Sequence, residues 1–282
     1  MMTLDPCRET WMRAEETRAV MAALTSAGGA ARFVGGAVRN ALLGREVGDV
    51  DIATPLLPEE VARRLEAAHI VAVPTGIEHG TITAVVDGKG FEVTTLRRDV
   101  TTDGRRAVVA FSDSWAEDAR RRDFTINALY AAPDGELFDY TGGLDDLAAA
   151  RVRFIGDPVA RIREDYLRIL RLFRFQAWYG KGEIDEDALH AATAERAGLQ
   201  RLSGERVQKE LLRLLAAEQP CPPLRAMAAA GILDEIIPHA GRLDTLERLA
   251  AIDAANFFAA DPMLRLAALA QPAPSVAAAI SE

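Results

Sequence analysis

The sequence predicts an α+β protein in which a head built on a mixed sheet with helices is followed by an all-helical neck and the start of a helical body. Three observations predict it. Apolar spacing from Ala31 to Leu96 reads strand, turn, helix, strand, helix and hairpin. A Pro133-Asp134-Gly135 turn then separates two further strand-like runs. After Gly142 and Gly143 the strand signals stop and helical spacing takes over. The expected boundaries are 1–150 for the head, 151–220 for the neck and 221–282 for the body.

The elements follow in order. Arg13 to Ala27 is spaced as an amphipathic helix ended by Gly28 and Gly29. The short apolar run Ala31 to Val34 meets Gly35 and Gly36, and helical spacing resumes through Val38, Leu42 and Leu43. Val50 and Ile52 alternate with Asp49 and Asp51, as on a half-buried strand. Pro58 to His69 reads as a helix, Thr81 to Val86 and Phe91 to Leu96 as a hairpin, and Arg97 to Ala119 as a polar segment. Asp123 to Ala131 and Glu136 to Tyr140 are the strands flanking the Pro-Asp-Gly turn. Asp157 is a fitting N-cap and Pro158 a fitting first residue for one long helix to about Tyr179. Shorter helices are expected from Asp185 to Ala197, from a Ser203 cap to Ala217, and from Pro223 to Ala230.

At 282 residues and 49% hydrophobic content the chain can bury a core in each of two modest domains. Its two cysteines, Cys7 and Cys221, lack the spacing of a disulfide framework or a metal site, which suits a reducing compartment. No run of about 18 apolar residues occurs, so a cytoplasmic chain without a membrane partner is expected. The four histidines, His69, His79, His190 and His239, are scattered, which argues against zinc.

The net charge of −9 argues against a nucleic-acid partner, since phosphate binding usually leaves a basic footprint. Locally the balance reverses. From Arg151 to Lys181 eight cations face three acids. Such arginines more often solvate a helix face than bind phosphate, and only neighbouring motifs favour the second reading.

Those motifs begin with Asp49-Val50-Asp51. On a strand both carboxylates share one face, and magnesium commonly takes one or two carboxylates together with substrate phosphates. Alone, such a pair is more often a set of turn or cap residues. Upstream, Gly35-Gly36 between a strand and a helix would let the backbone approach a triphosphate, and Arg39 could pair with its oxygens. No GK[ST] follows, so this is not a Walker loop.

RFVGGAVRNALLGREVGDVDIAT resembles the signature of the DNA polymerase β-like nucleotidyltransferases, in the branch of bacterial CCA-adding enzymes and poly(A) polymerases, the class II tRNA nucleotidyltransferases. RRRDFTINALY, FDYTGGLDDL and GDPVARIREDYLRILRLFRF resemble the family's later motifs, in order, so the likeness spans Phe33 to Phe175. The resemblance implies a polymerase β-like head in which Asp49 and Asp51 hold Mg2+, with Gly35, Gly36 and Arg39 at the triphosphate. Glu92 is either a third catalytic carboxylate or a solvated strand acid. By the same likeness Arg122 binds nucleotide, with Asp123 as helper or cap. Asp165 and Arg168 act as a protein template for the incoming base, and Arg171 and Arg174 also contact the nucleotide.

On one continuous helix Glu164, Arg168 and Arg171 would share a face flanked by Asp165 and Arg174. The implied function is addition of C, A or both from CTP and ATP to an RNA 3′ end, tRNA first among them. A poly(A) polymerase, a CC-only or A-only enzyme, and a non-catalytic RNA-binding module are the alternatives. The segment Arg97 to Ala119 is long enough for the mobile loop associated with switching from C to A. Asn40 stands where the family often has aspartate. PLRAMAAAGILDEIIP resembles the start of the family's helical body, and its tRNA-gripping tail is expected to be absent.

Overall fold

Short runs rich in Val, Ile, Thr and Phe pair into nine strands among the described residues of the computed structural model, which are 3–77, 80–99, 109–238 and 243–270. The chain divides into two units, Met1–Leu147 and Ala148–Glu282.

The first unit opens with α1 (Thr10–Arg13) and α2 (Glu15–Thr25), so the single amphipathic helix expected there is broken at Ala14, whose ψ of 136° is extended. There follow β1 (Arg32–Val34), α3 (Gly36–Leu42), β2 (Asp51–Thr54), α4 (Pro58–Ala67), β3 (Val71–Gly76), β4 (Thr81–Val86) and β5 (Lys89–Thr95). The hairpin β6 (Arg97–Asp99) and β7 (Val109–Phe111) leads to α5 (Trp115–Arg120), then β8 (Leu129–Ala131), β9 (Leu137–Asp139) and α6 (Gly143–Ala148). One sheet runs in the order β3-β4-β5-β2-β1-β8-β9, and β6 and β7 form a second. Only the β2–β5 pairing in the large sheet is parallel. Its core includes Phe33, Ile52, Val93, Phe124 and Leu129, all buried.

The polar segment Arg97 to Ala119 therefore holds two strands and most of a helix, and its residues 100–108 lie outside the described ones. Strand β3 carries almost wholly exposed residues and had no apolar alternation to reveal it. The strand expected from Asp123 begins only at Leu129, after a 3-10 turn at Thr125–Asn127. The Gly142-Gly143 pair has a steric reason: a Cβ on Gly143 would lie 2.2 Å from the Thr125 carbonyl oxygen.

Among its described residues the second unit is helical: α7 (Pro158–Glu164), α8 (Leu167–Tyr179), α9 (Glu186–Ala194), α10 (Gly204–Leu215), α11 (Cys221–Ala229), α12 (Ile232–Ile236), α13 (Leu243–Asn256) and α14 (Pro262–Leu269). The expected long helix is two helices. Asp165 is extended (φ −155°, ψ 108°), and its carboxylate accepts from the Leu167 N–H at 3.1 Å, a local side-chain bond that replaces the helical ladder. Arg265 of α14 is buried and donates to the Leu215 and Ala217 carbonyls at 2.8 and 2.7 Å, satisfying the end of α10. Among the described residues no helix is long and apolar enough to cross a membrane.

Candidate active site

Ile52 and Val50 are buried, which turns the half-buried Asp51 to the opposite face of β2. On parallel β5 the residue in register with Asp51 is Glu92, and on β1 it is Val34. Side chains in one row of a sheet share a face, so the two carboxylates are neighbours. Asp49 is exposed and precedes the strand, a correction to placing both acids on it. Pairing with both neighbouring strands, β1 and β5, starts at Asp51, so residue 49 lies ahead of the paired rows.

Asp49 still belongs to this cluster electrostatically. Burial first, then Glu92 and, more weakly, Asp49 together lift the Asp51 carboxyl to about 6 against the downward pull of Arg122. These are hard oxygen donors carrying unfavourable like charge, and a divalent cation would relieve it. Among the described residues no three His, Cys, Asp or Glu side chains converge on one ion position. A carboxylate pair is what magnesium takes from a protein when substrate phosphates complete its shell, so Asp49 and Asp51 fit that ion.

Gly35 precedes α3 with φ 71° and ψ −120°, a conformation that strains any residue with a Cβ. Arg39, one turn into α3, is buried. It donates from Nη1 to Asn127 Oδ1 through a very short bond, and from Nε and Nη2 to Asn40 Oδ1 at 3.3 and 3.1 Å. Asn127 in turn donates to Asp123 at 3.0 Å. Asn40 also donates from Nδ2 to the Glu46 carbonyl at 3.1 Å, which an aspartate could not do.

Arg122 is held by a buried acid that sequence reasoning missed. Asp118, on α5, accepts from Arg122 Nε and Nη2 at 3.1 and 3.0 Å, from Arg121 at 3.0 Å, from the Tyr130 hydroxyl at 2.8 Å and from the Arg97 N–H at 3.2 Å. Burial alone would raise its carboxyl; Arg122, Arg121 and Tyr130 outweigh that and hold it at about 2. A Cβ on Gly35 would lie 3.8 Å from Arg122 Nη1, so the arginine approaches the glycine turn. The clue in the sequence was the four-residue spacing of Asp118 and Arg122 in a helical stretch.

In the second unit Arg168 reaches back to Glu164 through a very short ion pair and donates to the Arg161 carbonyl at 2.7 Å. Asp165 pairs with Arg206 of α10 at 2.8 Å. Arg174 donates to the buried Glu210 at 2.5 Å, and Arg171 lies 3.9 Å from the other oxygen of that carboxylate. Glu210 and Arg206 had no sequence signal, because their partners lie some 40 residues away.

A mixed sheet that brings Asp51, Glu92 and Arg122 toward a strand-glycine-helix turn defines a nucleotidyltransferase head of the polymerase β-like class. Residues 31–153 match the poly A polymerase head domain, and residues 183–242 match the domain described as "Probable RNA and SrmB- binding site of polymerase A". The chain belongs to the family of CCA-adding enzymes and poly(A) polymerases. It is 41% identical over 245 residues to the mitochondrial CCA tRNA nucleotidyltransferase 1 of Mus musculus, covering 84% of this chain and 55% of the mouse protein. It is 41% identical to the CCA-adding enzyme of Levilactobacillus brevis, covering 84% of this chain and 59% of that enzyme. The solved Bacillus stearothermophilus CCA-adding enzyme in complex with CTP superposes with a TM-score of 0.73 at 35% identity, over 84% of this chain and 57% of that one. The chain thus spans little more than half the length of these relatives. Membership implies dependence on a divalent metal.

Proposed function

We propose that this chain is a template-independent nucleotidyltransferase that adds C and A from CTP and ATP to the 3′ end of tRNA. The observation that carries the reading is Asp51 in register with Glu92, close enough to Asp49 and Arg122 for all three charges to move its carboxyl. The names of the mouse and Levilactobacillus relatives support it, as does CTP in the solved Bacillus enzyme.

The RNA 3′-hydroxyl attacks the α-phosphate in line and pyrophosphate leaves. Asp49 and Asp51 would hold magnesium, with Glu92 beside them, and the metal would supply neutralisation of the negative charge that develops during transfer. The Gly35-Gly36 turn admits the triphosphate, and Arg39 and Arg122 donate to its oxygens. Asn127 and Asp118 keep those two guanidiniums oriented. Asp165 and Arg168 meet the base edge, with Arg171 and Arg174 as further donors. A guanidinium donates to the ring acceptors of cytosine or adenine while a carboxylate accepts from their exocyclic amine, an edge that neither uracil nor guanine presents. We place the activity in the cytoplasm, consistent with the exposed Cys7 thiol and the unpaired Cys221.

The test is addition of labelled CTP or ATP, with magnesium, to tRNA lacking the whole terminal CCA and to tRNA lacking only its last A. CTP should enter the first RNA alone and ATP should complete the second. Repeated ATP addition to any RNA would make the chain a poly(A) polymerase. Failure of both nucleotides on both RNAs would overturn the reading.

A further inference from the structure

The arginines between Arg151 and Lys181 look in the sequence like a phosphate-binding stripe. In the structure the ones assigned to the nucleotide are already answered by acids of their own unit: Arg168 by Glu164, Arg174 and Arg171 by Glu210, while Arg206 answers Asp165. Arg161 shares Glu164 with Arg168, so five arginines face these three carboxylates and the local excess of positive charge is smaller than the sequence of the stripe suggests.

Glu210 is the unusual member. It is 5% exposed, on a face of α10 whose other buried residues are Leu211, Leu214 and Leu215. Its two arginines also lie over one ring, with the Arg174 and Arg171 guanidinium carbons 4.2 and 5.3 Å from the Phe175 centroid. Burial weakens the hold of Arg174 on its proton, and Glu210 opposes this. Stability is a poor account of such a carboxylate, because well-packed apolar residues often replace a buried ion pair without loss.

We propose that Glu210 is a specificity-determining residue, neutralising Arg174 and sharing Arg171 so that the α8 surface reads a nucleobase edge and does not act as a general phosphate clamp. Phosphate binding rewards net charge and carries no base information, whereas base reading rewards donors fixed in direction. An unanswered pair of guanidiniums would attract any triphosphate whatever its base. Glu210 removes half of that charge and anchors the Arg174 Nε, which fixes the plane of its guanidinium. The inference rests on the nucleotide-binding reading of α8.

The experiment compares the unaltered chain with Glu210→Gln, Glu210→Met and the charge-retaining Glu210→Asp. Binding of CTP, ATP, UTP, GTP and inorganic tripolyphosphate is measured by calorimetry across a salt series, with melting temperatures alongside. The unaltered chain should prefer CTP and ATP. Loss of the charge should narrow that preference about tenfold, as for one good base-edge contact. It should also tighten tripolyphosphate binding and steepen its salt dependence. Glu210→Asp should keep the preference. Selectivity unchanged in the Gln and Met variants overturns the inference alone. So does equal weakening of every ligand with an unchanged salt slope, or a failure of both variants to fold, since either result leaves Glu210 a purely structural ion pair. Equal binding of all four nucleotides by the unaltered chain overturns the functional reading, and this inference with it.

Discussion

Asp51 and Glu92 stand in register across the parallel strands β2 and β5. Burial first, and then this like charge, lifts the Asp51 carboxyl from 3.8 to about 6. A raised carboxyl binds more protons folded than unfolded, so stability falls as pH rises from about 4 to about 6 and stays low above that window. Without metal, Asp51→Asn should therefore be more stable than the parent at pH 7, on the order of 2 kcal/mol, and no more stable below pH 4. Urea unfolding in chelator at both pH values checks this. An Asn variant equal to or weaker than the parent at pH 7 would mean that Asp51 is not held against its own charge.

Asp118 has the opposite sign. Its carboxyl is held at about 2 although it is wholly buried, so its stabilisation is present above the unfolded value near 4 and is lost as pH falls toward 2. Asp118→Asn should cost about 3 kcal/mol at pH 7, as expected for breaking a buried ion pair, and the gap from the parent should close below pH 4. Denaturant unfolding at pH 7, 4 and 2.5 measures the gap. A cost independent of pH would assign the effect to packing.

Asn127→Ala removes the partner of Arg39 Nη1 and leaves a buried guanidinium less constrained. It should weaken triphosphate binding about tenfold, the size of one hydrogen bond to a charged group, while binding of the bare nucleoside is unaffected. Competition by CTP and by cytidine separates the two.

The head was legible in the sequence where a period or a glycine carried it. Strand β2 announced itself because Val50 and Ile52 alternate with acids, and Gly35 because only glycine suits φ 71°. The long helix was misread at Asp165, where a side-chain bond to Leu167 overrides a good helical pattern. Periodicity carries no trace of that competition. Strand β3 is exposed nearly throughout and owes its existence to pairing with β4, which lies outside its own residues. The partners of the site, Asp118, Asn127 and Glu210, are polar residues buried by tertiary packing, and patterning reads such positions as surface.

Asp165→Ala and Arg168→Ala should relax base choice more than they weaken triphosphate binding, because base-edge contacts specify and phosphate contacts position. Discrimination of CTP from UTP should fall about tenfold or more. Incorporation rates for all four nucleotides on one RNA measure it. Equal loss for every nucleotide, with selectivity kept, would make α8 a phosphate clamp.

The measurement that bears most directly on the account is single-turnover addition of labelled CTP to tRNA lacking CCA by the parent, Asp49→Asn and Asp51→Asn at saturating magnesium, with melting temperatures recorded. Each substitution removes one of the two carboxylates assigned to the metal. Addition should fall by at least about a hundredfold in both, with transition-state stabilisation of about 3 kcal/mol or more lost, while in chelator neither protein melts below the parent. Substantial residual addition by both variants, folded and in saturating magnesium, would contradict a reaction centred on Asp49 and Asp51.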